Sequence, residues 1–322
     1  MSLEAIRDYL ADDLRAVDGV IRDRLHSEVA LVRQVSEYIV GSGGKRLRPL
    51  LVLLSARACG YQGRAHHELA AVVEFIHTAT LLHDDVVDES SLRRGRATAN
   101  ALFGNSASVL VGDFLYSRAF QMMVGVQSMP VLRVLADATN TIAEGEVMQL
   151  MNCHDPEIDE ARYLQVIRYK TAKLFEAAAR LGAILGRAPG GVEASMAEYG
   201  ARLGTAFQLI DDMLDYSGER EQTGKNLGDD LAEGKPTLPL IYALRSGSPE
   251  QVGLVRQAIE AGGLERLEPV LKTIEESGAL DYTHRRAREE ADAACEALAQ
   301  LPHSTARDSL LELADFAVRR SF

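Results

Sequence analysis

Apolar residues recur at three- and four-residue spacing through almost the whole chain, and no stretch sustains the alternation of a half-buried strand. That period predicts an all-α protein, with helices at about 2–40, 49–59, 65–89, 105–125, 129–153, 160–185, 191–216, 236–245, 250–262, 266–277, 279–299 and 304–319. Glycine- and proline-rich turns separate the segments: GSGG at 41–44, CGYQG at 59–63, GRAPGG at 186–191 and TGKNLGDDLAEGKP at 223–236. None is long enough to link two domains, so one domain over residues 1–322 is expected.

The apolar pattern breaks in the same way twice. The segment 65–89 ends in LLHDDVVDES (81–90), and the segment 191–216 ends in FQLIDDMLDY (207–216), so D-D-x-x-D closes both. Residues four apart share a helix face, which places Asp84 with Asp88 and Asp211 with Asp215; Asp85 and Asp212 lie about 100° around. Carboxylates crowded like this either bind protons more tightly or require cations between them. Mg²⁺ is the fitting cation, since it prefers oxygen ligands and bridges one or two carboxylates to phosphate oxygens. Two such clusters point to a diphosphate clamp. Either one alone also reads as a solvated helix end, although aspartate at a helix C-terminus opposes the macrodipole and needs compensation.

Charge sharpens this picture. A formal net charge of −12 argues against general affinity for nucleic acid, so an anionic ligand must be met by local cations. Candidates are Lys45, Arg46 and Arg48 in GGKRLRP, Arg93, Arg94 and Arg96 in SLRRGRAT, and Lys170 with Thr171 in YKTAKLF. Lys225 and Lys235 follow in a glycine-punctuated stretch resembling a mobile lid. GGKRLRP is no P-loop, because it lacks the G-x-x-x-x-G-K-[ST] spacing. His77, about two turns before Asp84, shares its face, and Gln208 lies on the side of Asp211; His83 points away and reads as a packing residue or as a support to the side chains around it. Taken singly, each of these has an ordinary reading as a turn, a solvated loop or a buried side chain.

With 47% hydrophobic and 25% charged residues the composition is that of a globular protein. The N-terminal sequence lacks the features of a secretory signal, and no run of about 18 apolar residues occurs, so a cytoplasmic protein without a membrane span is expected. Cys59, Cys153 and Cys295 are widely spaced and read as reduced buried thiols.

Taken together, the two aspartate clusters, GGKRLRP, LRRGRAT, YKTAKLF, FQLIDDMLDY and GKPTLP resemble the trans-isoprenyl diphosphate synthase family. The runs FIHTATLLHDDVVDES and VLVGDFLYSRAFQMM are most similar to its long-chain bacterial members, the octaprenyl diphosphate synthases. The resemblance implies antiparallel helices around one deep central cavity, a homodimer, and two aspartate clusters facing each other at the cavity mouth. It implies that Asp84, Asp85, Asp88, Asp211, Asp212 and Asp215 surround the Mg²⁺ ions, three per active site. It places Lys45, Arg48, His77 and Arg94 on isopentenyl diphosphate, and Arg93, Lys170, Thr171, Gln208, Lys225 and Lys235 on the allylic diphosphate.

The implied reaction is ionisation, condensation and elimination. In it the aspartates, with Arg93, Lys170 and Lys225, stabilise charge on the leaving diphosphate rather than donate protons. Small residues one turn below Asp84, Ala79 and Thr80, imply an open path for a long product, with Phe120, Met122 and Met123 as candidates for its floor. Eight isoprene units destined for a quinone side chain, released toward the membrane, is the expected product; a nonaprenyl or shorter-chain product is the alternative. A terpene cyclase would carry an Asn/Ser/Glu motif in place of DDMLD, a His-Asp phosphohydrolase would need further histidines, and a catalytically silent partner subunit would lack one cluster.

Overall fold

Helices form where the period places them, and the departures have local causes. The structure, a computed structural model, describes residues 2–41, 43–93, 95–217 and 227–319. The predicted helix over 2–40 is three helices: α1 (Leu3–Tyr9), α2 (Ala11–Arg24) and α3 (Ala30–Gly41). At Leu10 the backbone leaves helical geometry (φ −104°, ψ 14°) while the side chain is fully buried. Before α3, Ser27 Oγ accepts the Val29 N–H at 3.2 Å, a local turn that competes with continuing the helix.

Next come α4 (Leu47–Ala58) and α5 (Ala65–Val87). A two-residue antiparallel ribbon of β1 (Leu92–Arg93) and β2 (Arg96–Ala97) and the short α6 (Ala99–Phe103) follow, neither of them visible in the apolar period. Beyond these run α7 (Asn105–Gly125), α8 (Met129–Asn152) and α9 (Glu160–Ile167). A π-helical turn (Arg168–Ala172) leads into α10 (Lys173–Leu185) and then α11 (Gly190–Ser217). The chain continues through α12 (Asp229–Ala232), α13 (Leu238–Ser246), α14 (Pro249–Ala261) and α15 (Leu267–Ser277), and ends with α16 (Ala279–Ala297) and α17 (Thr305–Arg319).

The residues fall into two compact units. One holds Met1–Thr139, Leu174–Gly200 and Ala297–Leu313. Its core is α4 and α5, which are apolar on nearly every face: Leu50 to Leu54 and Leu69 to Val73 are fully buried. Helix α7 lies along the C-terminal half of α5, where Ser108 Oγ donates to the Leu82 carbonyl at 2.9 Å. Gly112 permits this approach, since a Cβ there would meet the His83 ring at 2.3 Å.

The other unit holds Asn140–Lys173, Ala201–Glu296 and Ala314–Phe322. One of its cores gathers Tyr163, Leu164 and Ile167 of α9 against Leu209, Ile210 and Met213 of α11. A second joins Leu240, Val255, Ile259, Val270 and Ile274 from α13, α14 and α15. Cys59, Cys153 and Cys295 are free thiols, as expected, but half-buried rather than buried.

Candidate active site

The first acidic cluster ends α5. Asp88 caps the helix with its N–H on the Asp84 carbonyl at 2.8 Å, and Asp84 and Asp88 are half-buried. Asp85 is fully buried. The β-ribbon folds back over this helix end and is tied there by Asn100 Nδ2, which donates to the carbonyls of Asp85 (3.0 Å) and Ser90 (3.2 Å), and by Thr98 Oγ1, which donates to that of Ser90 (2.7 Å). The ribbon delivers Arg93, whose Nε and Nη2 both lie 2.7 Å from Asp85 Oδ1. The other oxygen, Oδ2, is buried without a hydrogen-bond partner among the described residues. Burial lifts the Asp85 carboxyl above the usual carboxylate range against the pull of Arg93, and the charges of Asp84 and Asp88 add to the rise.

In the same unit Arg48 Nη1 donates to His77 Nε2 at 3.2 Å and its guanidinium lies 4.4 Å from the centre of the Phe175 ring, so two of the predicted diphosphate ligands are brought together. Lys45 is exposed just before α4, its carbonyl accepting from Arg7 Nη2 at 3.0 Å. His83 lies against α7 with Nε2 at 3.2 Å from the Val109 carbonyl and 3.4 Å from Asp113 Oδ1. Ala79 and Met123 are fully buried, Met122 nearly so, and Thr80 and Phe120 half-buried.

The second cluster ends α11. Asp212 is nearly fully buried and held at both oxygens: Tyr163 donates its hydroxyl to Oδ2 at 2.5 Å, and Gln208 Nε2 donates to Oδ1 at 2.7 Å. Thr171 Oγ1 in turn donates to Gln208 Oε1 at 2.9 Å. Asp215, also buried, accepts the Asp230 N–H on Oδ2 at 3.0 Å. Burial first, then the charge of Asp230, pushes Asp212 up to about 8, while burial and the neighbouring Asp212 push the Tyr163 phenol well above its ordinary value.

Lys170 and Thr171 sit in the π-helical turn, where one extra residue per turn re-aims the side chains. Lys170 Nζ lies 2.5 Å from Glu146 Oε2 and donates to Gln149 Oε1 at 2.6 Å. Gly145 makes this possible, because a Cβ on it would stand 2.5 Å from the Lys170 backbone nitrogen. Lys235 pairs with Glu233, and its N–H reaches the Asp230 carbonyl at 2.8 Å. Arg94 and Lys225 lie outside the described residues.

Four of these side chains escaped the sequence reading. Asp230 lay in plain view in GKNLGDDLAEGKP beside Asp229, and Glu146 and Gln149 stand three apart on one face of α8. Tyr163 left no signal, since its partner is 49 residues away and only packing joins them. A further polar group, Asp13 with His66 and His67, binds α2 to α5. Arg57 Nε already donates to Asp13 at 2.7 Å, and buried His66 Nδ1 has no partner among the described residues, whereas an imidazole that holds a metal needs an acceptor for its second nitrogen. It is a structural clasp.

The sequence profile of the polyprenyl synthetases matches residues 29–275, over three quarters of the chain. The chain belongs to the polyprenyl synthetase family. The synthase is 56% identical to the octaprenyl diphosphate synthase of Escherichia coli (strain K12) over 321 residues, 99% of each chain. It is 48% identical to the geranyl-diphosphate-specific all-trans-nonaprenyl-diphosphate synthase of Rhodobacter capsulatus, again over 99% of each. Among solved structures it superposes on the polyprenyl synthase of Caulobacter crescentus CB15 complexed with calcium and isoprenyl diphosphate, with a TM-score of 0.96 and 46% identity, covering 100% of this chain and 98% of that one. The synthase is therefore a prenyltransferase of the trans-polyprenyl diphosphate synthase type with the all-α isoprenoid synthase fold. No helix among the described residues is long and apolar enough to cross a membrane.

Proposed function

We propose that this synthase extends an allylic diphosphate such as farnesyl diphosphate with isopentenyl diphosphate to eight isoprene units, in the cytoplasm, as a Mg²⁺-dependent homodimer serving quinone side chains. The observation that carries the site reading is Asp85, a fully buried carboxylate with one oxygen bound to Arg93 and the other without a donor among the described residues. Such an oxygen lacks a cation or a proton, and Asp84 and Asp88 in the same cluster supply the further oxygen ligands that a divalent cation takes. The hard oxygen donors of both clusters suit Mg²⁺, and the relative from Caulobacter crescentus binds calcium, a cation of the same preference. When bound, Mg²⁺, at three ions per site, supplies positive charge to the departing diphosphate.

The chain's own residues do the rest. Asp84, Asp85, Asp88, Asp211, Asp212 and Asp215 hold the cations. Lys45, Arg48, His77 and Arg94 bind isopentenyl diphosphate, with His77 fixing the Arg48 guanidinium. Arg93, Lys170, Thr171, Gln208, Lys225 and Lys235 bind the allylic diphosphate and stabilise the charge it gains on leaving. Buried apolar side chains along α5 keep water from the carbocation, and the departed diphosphate accepts the proton lost on elimination. Exposed Leu110 and Val124 on α7 and Met129 on α8 support a second copy of the chain as partner.

The nonaprenyl relative at 48% identity keeps a nine-unit product as the alternative. Incubation of the purified protein with farnesyl diphosphate, isopentenyl diphosphate and Mg²⁺, followed by mass measurement, decides among these. An eight-unit product is expected, a nine-unit product favours the alternative, and no elongation points to a silent partner subunit.

A further inference from the structure

Tyr163 is a polar residue in an apolar place. It belongs to α9, is 5% exposed, and packs among Leu164, Ile167, Ile210 and Met213. A phenylalanine would fill the same space without a polar group to satisfy, so whatever the hydroxyl contributes lies in its bond to Asp212 Oδ2 at 2.5 Å. Gln208 Nε2 takes the opposite oxygen at 2.7 Å, and Thr171 Oγ1 orients Gln208 from the π-helical turn. Donors at both oxygens leave the carboxylate a single orientation. Asp211 precedes it directly, and Asp215 stands one turn later on α11, pinned by the backbone N–H of Asp230.

We propose that Tyr163 is a positioning residue for prenyl transfer, fixing the orientation of Asp212 and so the seat that the second aspartate cluster offers a divalent cation. This rests on reading that cluster as a cation seat. Tyr163 itself touches neither substrate nor product. The role is geometric: groups hydrogen-bonded to the acidic side chains of a metal site typically change metal affinity by about 10- to 100-fold when removed.

The test uses the full chain and Tyr163→Phe, which keeps the ring in its packing. Mn²⁺ binding in the presence of inorganic pyrophosphate is followed by electron paramagnetic resonance, beside the melting temperature and the Mg²⁺ dependence of elongation. The wild type is expected to bind Mn²⁺. In Tyr163→Phe we expect affinity to fall about tenfold, with the half-saturating Mg²⁺ concentration rising in step and kcat at saturating Mg²⁺ largely retained. A variant that melts lower yet binds Mn²⁺ like the wild type would show the hydroxyl to be structural only, and overturns the proposal.

Asp212→Asn with and without Tyr163→Phe removes the charge together with its donor, so this pair reads the same coupling even where Tyr163→Phe alone does not fold. The second substitution is expected to change nothing, and a further loss of Mn²⁺ affinity overturns the proposal. Absence of Mn²⁺ binding by the wild type overturns the reading of the cluster, and the inference with it.

Discussion

Two nitrogens of Arg93 converge on a single oxygen of Asp85, each at 2.7 Å, and the other oxygen of that carboxylate is buried with no donor among the described residues. The arginine offsets part of the cost of burying Asp85, enough to keep the ion pair but not enough to return the carboxyl to its ordinary range. Removing it strands the charge. Arg93→Met is expected to cost about 2–4 kcal/mol in the absence of cation, read by chemical denaturation. Arg93→Lys should recover only part of that, because an ammonium cannot present two nitrogens in a fixed plane. Full stability in Arg93→Met would mean that Asp85 is neutral in the folded protein and needs no partner.

Asp85 and Asp212 give the response to Mg²⁺ a definite sign. Both carboxyls are raised in the folded chain, Asp212 to about 8, chiefly by burial. Between the ordinary carboxylate range and that value the folded state holds more protons than the unfolded one. Cation-free stability attributable to these groups therefore falls as pH rises through this window. A bound cation stabilises the carboxylates and reverses the loss. The increase in melting temperature produced by Mg²⁺ should thus be larger at pH 8.5 than at pH 6, and Asp212→Asn should flatten the difference. An increment independent of pH would place the cation away from these groups.

Gly145 is expected to be as sensitive as a catalytic residue while touching no ligand. An alanine Cβ would lie 2.5 Å from the Lys170 nitrogen and 2.9 Å from its Cα, backbone atoms that cannot rotate away. The π-helical turn must then shift, taking Lys170 from Glu146 and Gln149 and Thr171 from Gln208. Gly145→Ala should raise KM for the allylic diphosphate at least tenfold, at a stability cost of about 1–3 kcal/mol. Steady-state kinetics with isopentenyl diphosphate held saturating separates the two, and an unchanged KM would mean that the turn tolerates displacement.

These cases show what a sequence can disclose. The aspartates were legible because a D-D-x-x-D run interrupts a helical apolar period, and Lys170 and Thr171 because YKTAKLF stands out as a motif. The tertiary contacts were not. The π-helical turn that aims Lys170 and the pairing of Tyr163 with Asp212 depend on packing between segments distant in the chain, whereas the breaks at Leu10 and Ser27 are local backbone departures that the apolar period does not register. Asp230 was missed for a different reason: it lies in a stretch whose glycines drew notice as a lid, and its backbone bond to Asp215 appears only when the segment folds back on α11.

The path of the growing chain offers the sharpest contest between packing and function. Ala79 lies five positions before Asp84, about 7.5 Å along α5, and is fully buried in the helix that packs along α7, the bearer of Phe120, Met122 and Met123. Burial of a small side chain has two explanations: it borders a route kept open for prenyl units, or it fills a close-packed core. Ala79→Tyr separates them. If the wall borders a route, the ring enters it, products shorten as read by mass spectrometry, and the melting temperature holds. If the site is packed solid, the ring has nowhere to go, overpacking costs about 1–3 kcal/mol, and product length stays as it was. We expect the first outcome, with Met123→Ala in turn lengthening the product, since shortening one side chain of a floor on α7 deepens the route.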